Sequence, residues 1–123
     1  MILGTGVDIA VCSRFLDWTD FKKGRIFTKK ELDFAAEDNC NEEKHLAKFW
    51  CAREAFVKAL GTGFDKGIAF TDVSVLHDDA GKPELLVAGE ARKCLLALDK
   101  DAKTFLSLAD DGDYAIANVI IEK

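Results

Sequence analysis

Hydrophobic and polar positions divide the chain into alternating and helical stretches. Ile2 to Val11 carries apolar residues around Gly4 and Gly6. It reads as a strand whose glycines permit close approach of another backbone. Ser13 is placed to cap a short helix running to about Asp20. Thr28 and Glu31 form a T-x-x-E capping box that opens a helix to about Glu37, and residues 38–43 are polar and loop-like. The strongest element is a helix from about Glu43 to Leu60, stopped by Gly61. Thr71 to His77 alternates as a strand, Asp79-Ala80-Gly81-Lys82 is a turn, and Glu84 to Val87 is a second short strand. Residues 89–98 space Ala91, Leu95 and Leu98 for burial on a helix. Thr104 to Leu108 and Tyr114 to Ile121 read as a hairpin closed around Asp111-Gly112. The pattern predicts an α+β chain with helices early and antiparallel strands late. It shows no repeat and no linker, so residues 1–123 are expected to form a single domain.

Composition adds the expectation of a compact fold, since 49% of the residues are hydrophobic and 32% charged. A chain of 123 residues buries a limited share of its surface, so oligomerisation is in keeping with its size. The net charge of −5 makes nucleic acid and anionic membranes poor partners. That figure hides a reversal. Residues 21–30, FKKGRIFTKK, carry +5 through Lys22, Lys23, Arg25, Lys29 and Lys30, which leaves −10 on the remainder. The run reads either as a solvated helix edge or as a docking patch for an acidic partner. Cys12, Cys40, Cys51 and Cys94 contain no C-x-x-C pair and match no zinc or redox spacing, and Cys51 reads as a small core residue. Met1 to Val11 has no basic leader and is broken by Gly4, Gly6 and Asp8. No signal peptide or membrane span is expected, and the free thiols point to the cytoplasm.

Candidate chemistry centres on the long helix, KHLAKFWCAREAFVKALG. With Glu54 at zero on a helical wheel, Ala47, Trp50, Cys51, Val57 and Gly61 lie within about 60° of it. Lys58 is the other charge in that sector, and Phe49, Ala52, Phe56 and Ala59 fill the opposite side. A helix apolar on both sides is expected to be largely buried, leaving Glu54 a carboxylate among hydrophobic neighbours. Such a group needs a cation. Lys58 can supply it as an i,i+4 pair, worth only ~0.3–0.5 kcal/mol if exposed; a bound metal is the alternative. Asp8, between Val7 and Ile9, is unfavourable inside a strand. It is either a strand-end turn acid or, with Glu54, an oxygen ligand of a hard cation such as magnesium. Gly61-Thr62-Gly63 follows the helix at its negative end, so anion binding there would depend on Lys58, a metal and loop amides. His45 and His77 are isolated and read as surface or boundary residues. Asp110, Asp111 and Asp113 are explained by turn chemistry around Gly112. Trp18, Trp50 and the nine phenylalanines read as core or interface.

Together these segments resemble the holo-acyl-carrier-protein synthases, the small bacterial 4′-phosphopantetheinyl transferases. The likeness runs over nearly the whole chain. It begins with G-x-G-x-D-I at Gly4 to Ile9 and continues with R-I-x-T-x-x-E-L at Arg25 to Leu32. Its most specific block is His45 to Gly63, followed by G-K-P at Gly81-Lys82-Pro83 and a closing strand pair from Ser107 to Glu122. The resemblance implies an antiparallel sheet packed against a long central helix, assembled as a homotrimer with sites between subunits. It implies magnesium-dependent transfer of phosphopantetheine from coenzyme A to a serine of apo-acyl carrier protein, for fatty acid biosynthesis. Asp8 and Glu54 would hold magnesium and Lys58 would contact the pyrophosphate. Gly61, Thr62, Gly63 and Pro83 would line the coenzyme A groove. Carrier proteins are small and acidic, which gives Arg14, Lys22 and Arg25 a purpose as the docking patch. Glu31 remains a capping residue with a supporting role behind the site.

The likeness departs at named positions. The family's usual arginine is Phe49 here, preceded by Lys48 and followed by Trp50. Its lysine before the glutamate is Arg53, which keeps the charge, and its S-x-S-H is Ser107-Leu108-Ala109-Asp110, with no histidine. A non-catalytic domain that binds coenzyme A or a carrier protein is the rival reading that these departures leave open.

Overall fold

The computed structural model describes residues 1–123. Strand β1 (Ile2–Val11) leads through a short 3-10 turn at Cys12–Phe15 into helix α1 (Asp20–Ile26), helix α2 (Lys29–Glu37) and the central helix α3 (Glu42–Leu60). Strands β2 (Val73–His77) and β3 (Pro83–Val87), helix α4 (Gly89–Leu98), and strands β4 (Lys103–Asp111) and β5 (Tyr114–Glu122) complete the chain. The α+β class and its antiparallel sheets agree with the sequence expectation. Sheet order is β1-β5-β4, with β2 and β3 forming a separate two-stranded hairpin whose β3 packs against β4.

The expected helix from Ser13 to Asp20 does not form. The backbone makes only the 3-10 turn at Cys12–Phe15 there, and Ser13 caps nothing. Instead its N–H and hydroxyl donate to the two oxygens of Asp113 across the hairpin, at 2.9 and 2.7 Å. Thr19 is the real cap, accepting from the Lys22 N–H and opening α1. A tertiary contact takes Ser13 away from the capping role. The predicted loop at 38–43 is also shorter, because residues Asn39–Asn41 form a 3-10 turn and Glu42 already opens α3. The Thr28–Glu31 capping box forms as read.

Helix α3 occupies the centre because it has two apolar sides to cover. Phe49, Ala52, Phe56 and Ala59 are buried on one side, and Ala47, Cys51 and Val57 on the other. It ends in a Schellman arrangement: Gly61 adopts φ 79°, its N–H reaches Lys58 O and Val57 O, and the Thr62 N–H reaches Val57 O. Strand β1 crosses α3 at unusually close range. A Cβ on Gly4 would stand 2.1 Å from Ala59 O, and one on Gly6 would stand 1.9 Å from Ala55 O. Period-two alternation then places Gly4, Gly6, Asp8 and Ala10 on the α3 side of the sheet.

The opposite side of that sheet is open. Val7 is 51% exposed and Ile9 62%, and the pairing Ile9–Ile116 joins them to an apolar row that also includes Val11, Tyr114 and Phe105. No helix of the chain covers it, and no helix is long and apolar enough to cross a membrane.

The close contact generates a direct expectation. Gly6→Ala drives a methyl into the α3 carbonyl row, where neither backbone can yield cheaply. It should cost about 3 kcal/mol or more, read as a drop in denaturant midpoint, while Gly24→Ala, inside α1 with open space around it, should hold or raise the midpoint.

Candidate active site

The face of α3 that meets β1 carries Cys51, Glu54 and Lys58 at i, i+3 and i+7, the spacing that aligns side chains along one helix face. Asp8 reaches that face from β1. Its Oδ1 accepts from Lys58 Nζ at 3.0 Å, and the same ammonium donates to Val7 O at 3.0 Å. The expected Glu54–Lys58 pair therefore does not form; the lysine binds the strand. Lys58 is about half exposed, whereas Asp8 is mostly covered. Asp8 is a partnered strand residue pointing at the helix, not a strand-end turn acid.

Glu54 is only partly covered, less than the apolar wheel suggested, and its carboxylate has no hydrogen bond or ion pair within the chain. Burial raises its pKa first, the Asp8 carboxylate raises it further, and Lys58 and Arg14 pull it back. Two carboxylates thus converge on one partly open face, and the cation nearest them is committed to Asp8. Cys51 lies against the same group. Burial and Asp8 push its thiol up to about 12, so it stays protonated and inert.

Asp8 and Glu54 fit a hard divalent cation by donor chemistry. Both present oxygen, they lie close enough for the Asp8 charge to act on Glu54, and the pair carries more negative charge than Lys58 neutralises. No cluster of three or more potential ligands exists, so the remaining positions would fall to water and substrate oxygens.

The glycine loop follows directly from α3, with Gly61 and Gly63 both in the left-handed region. That accounts for Gly63, which a helix stop alone does not explain. Pro83 lies elsewhere. It lines a cleft of about 320 Å³ with Lys82, Thr104 and Phe105, and that lining includes none of Asp8, Glu54 or Lys58. Within one chain the predicted site residues are therefore gathered in two places.

The basic run resolves into committed and uncommitted charges. Lys23 pairs with Glu42 at 2.7 Å and Lys29 with Asp33 at 2.7 Å. Lys22, Arg25 and Lys30 make no ion pair and are exposed. Arg14 lies over Trp50 at 4.9 Å and Lys22 over Trp18 at 4.2 Å, so aromatic faces hold both cations at the surface. Phe21 is 76% exposed and Leu16 63%, placing apolar groups among those charges. The histidines take boundary positions: His45 binds Asp38 at 3.0 Å, and His77 stacks on Phe34 at 4.1 Å. Asp110 is not merely a turn acid, because it pairs with Lys48 at 2.9 Å. Phe49, at the family's arginine position, is fully buried.

Sequence reasoning missed Arg53. It is fully buried with Glu31, to which it donates through both terminal nitrogens. Its position beside Glu54 on a helix apolar all round was the available signal.

The raised Glu54 pKa makes the metal-free chain less stable as that group ionises. The folded state favours the protonated form, so the cost appears as pH rises through the folded pKa. Glu54→Gln should therefore raise the melting temperature of the metal-free chain at pH 7, and the gain should fade as pH falls towards the ordinary carboxylate range. Thermal melts across that window would check this.

The sequence and the fold are similar to those of known proteins. A family model described as the 4′-phosphopantetheinyl transferase superfamily matches residues 4–119. The holo-[acyl-carrier-protein] synthase of Geotalea daltonii is 39% identical over 127 aligned positions that span 100% of both chains. The crystal structure of holo-[acyl-carrier-protein] synthase from Neisseria meningitidis aligns with a TM-score of 0.84 and 34% identity, covering 100% of each chain. A holo-(acyl-carrier-protein) synthase from Bacillus anthracis in complex with CoA (3′,5′-ADP) aligns at 0.80 and 31% identity, over 98% of this chain and 96% of that one. From the glycines that seat β1 on α3 to the closing hairpin, this chain belongs to the holo-[acyl-carrier-protein] synthases of the 4′-phosphopantetheinyl transferase superfamily.

Proposed function

We propose that this chain transfers 4′-phosphopantetheine from coenzyme A to a serine of an apo-acyl carrier protein, leaving adenosine 3′,5′-bisphosphate. The observation that carries the reading is the convergence of Asp8 and Glu54 on one face beside Lys58. In the reaction the serine Oγ attacks the phosphorus next to pantetheine. A new P–O bond forms there, the bond to the departing nucleotide phosphate breaks, and the serine proton leaves. Phosphoryl transfer of this kind depends on positioning and on neutralising charge.

Asp8 and Glu54 would hold magnesium, which supplies neutralisation of the pyrophosphate and its leaving oxygen. Lys58, anchored to Val7 O and Asp8 and half open to solvent, would offer a point charge to the pyrophosphate. Glu54, with its raised pKa, or water at the site accepts the serine proton. Gly61, Thr62 and Gly63 lie one turn beyond Lys58 and would carry the nucleotide end of the substrate, with Pro83 lining its groove.

The separation of Pro83 from Asp8 within one chain supports a site completed by a second copy. The open apolar sheet face around Val7, Ile9 and Ile116 is the surface we assign to that contact, in a homotrimer. We assign carrier docking to Arg14, Lys22 and Arg25, with Phe21 and Leu16 as apolar contacts between the charges. A cytoplasmic location fits the substrates and the free thiols.

Incubation with coenzyme A, Mg²⁺ and apo-carrier should add the phosphopantetheine mass to the carrier, seen by intact mass spectrometry. Asp8→Asn and Glu54→Gln should each lower turnover by about 10²-fold or more while keeping the native circular dichroism spectrum. Full activity in either would refute the metal assignment. Reversing Lys22 and Arg25 to Glu should raise the carrier KM by about tenfold and flatten its salt dependence. A change confined to the coenzyme A KM would defeat the docking assignment.

A further inference from the structure

The core holds two charged side chains, Glu31 and Arg53, both essentially without solvent contact. Every side-chain nitrogen and oxygen of the pair has a hydrogen-bond partner. Arg53 Nη1 and Nη2 donate to the two oxygens of Glu31, Nη1 also reaches Phe49 O at 3.2 Å, and Nε reaches Phe70 O at 2.9 Å. The guanidinium lies 5.1 Å over the Phe27 ring. Glu31 accepts in addition from the Thr28 N–H at 2.9 Å, the Thr28 hydroxyl at 3.1 Å and the Val75 N–H at 3.0 Å.

These contacts meet at one elbow. Phe27 and Thr28 join α1 to α2, and both residues touch the pair, Phe27 through its ring and Thr28 through its backbone and hydroxyl. Helix α1 also leans on the 70–72 turn, whose Phe70 carbonyl is held by Arg53 Nε. On one side of the elbow stand Lys22 and Arg25. Glu54 follows Arg53 directly on α3. A buried ion pair adds little net stability over a well-packed apolar pair. What a two-pronged guanidinium–carboxylate contact does supply is direction, since its planar fork admits one mutual orientation.

We infer that Arg53 and Glu31 are positioning residues that set the angle of the α1–α2 elbow against α3, and so the presentation of Lys22 and Arg25 to a carrier whose serine is to reach Glu54. The inference rests on the transfer and docking roles proposed above. It assigns to Arg53 a role that its charge alone does not fill, because a lysine has no fork.

Steady-state kinetics with coenzyme A, Mg²⁺ and an apo-acyl carrier protein tests it, together with direct titration of the carrier onto the enzyme. Arg53→Lys keeps the charge and removes the fork. It should lower kcat/KM for the carrier by about tenfold, mainly through KM and with matching loss of carrier affinity, while the coenzyme A KM stays within about twofold. A pair that only stabilised the fold would lower the melting temperature and scale kcat down, leaving both KM values in place; that outcome overturns the inference. Should Arg53→Lys fail to fold, Thr28→Ala is read in the same way. It leaves both buried charges and removes one hydroxyl from Glu31, and a carrier KM raised by about threefold is expected. An unchanged carrier KM in that variant also overturns it. Native chain that transfers nothing and binds no carrier would instead remove the proposed function, and the positioning role with it.

Discussion

Strand β1 can lie against α3 only because two of its residues have no side chain. The carbonyls of Ala55 and Ala59 occupy the space that Cβ atoms at Gly6 and Gly4 would need. Alanines on the facing side of α3 remove the other obstacle. The backbones therefore meet at a distance that ordinary side chains forbid, and the alternation of the strand does the rest. Two residues beyond Gly6, Asp8 must point at the same helix face. Lys58 is drawn from its own helix to the strand, since Asp8 Oδ1 and Val7 O together offer it two acceptors. Glu54 is left without an internal partner. The chemical character of the site thus follows from a packing constraint a few residues away.

The chain handles its other buried charge in the opposite way. Glu31 and Arg53 are more deeply enclosed than Glu54, yet every polar atom they carry is matched. Low dielectric makes an unmatched group expensive and a matched, directional one rigid. Compensation at Arg53 and its lack at Glu54 sit on adjacent residues of one helix. The first fits a frame; the second fits the cation-binding role proposed for it.

At the surface, charge and apolar area are sorted by element. The uncommitted cations of α1 project beside Phe21, while Lys23 and Lys29 are spent on Glu42 and Asp33. The outer face of the sheet is apolar and uncovered. A small acidic chain therefore presents two distinct surfaces, one cationic and one apolar.

Most elements were legible in the sequence because their signals are local. The capping box at Thr28, the glycine stop at Gly61, the alternation of Ile2–Val11 and the turn at Gly112 are each decided within a few residues. The candidates Asp8, Glu54 and Lys58 also came from the sequence, through their place in motifs that resemble a known family, and the fold brings them to one face. What local pattern could not decide were choices between partners far apart in the chain. Ser13 could cap a helix or bind Asp113, Lys58 could pair with Glu54 or Asp8, and Arg53 could be a surface charge or the mate of Glu31. Each was settled by a contact spanning more than twenty positions. The sequence by itself determined which residues carry charge and which segments form helix or strand. Only the tertiary structure decided which charges neutralise one another, because that depends on how closely two distant backbones can approach.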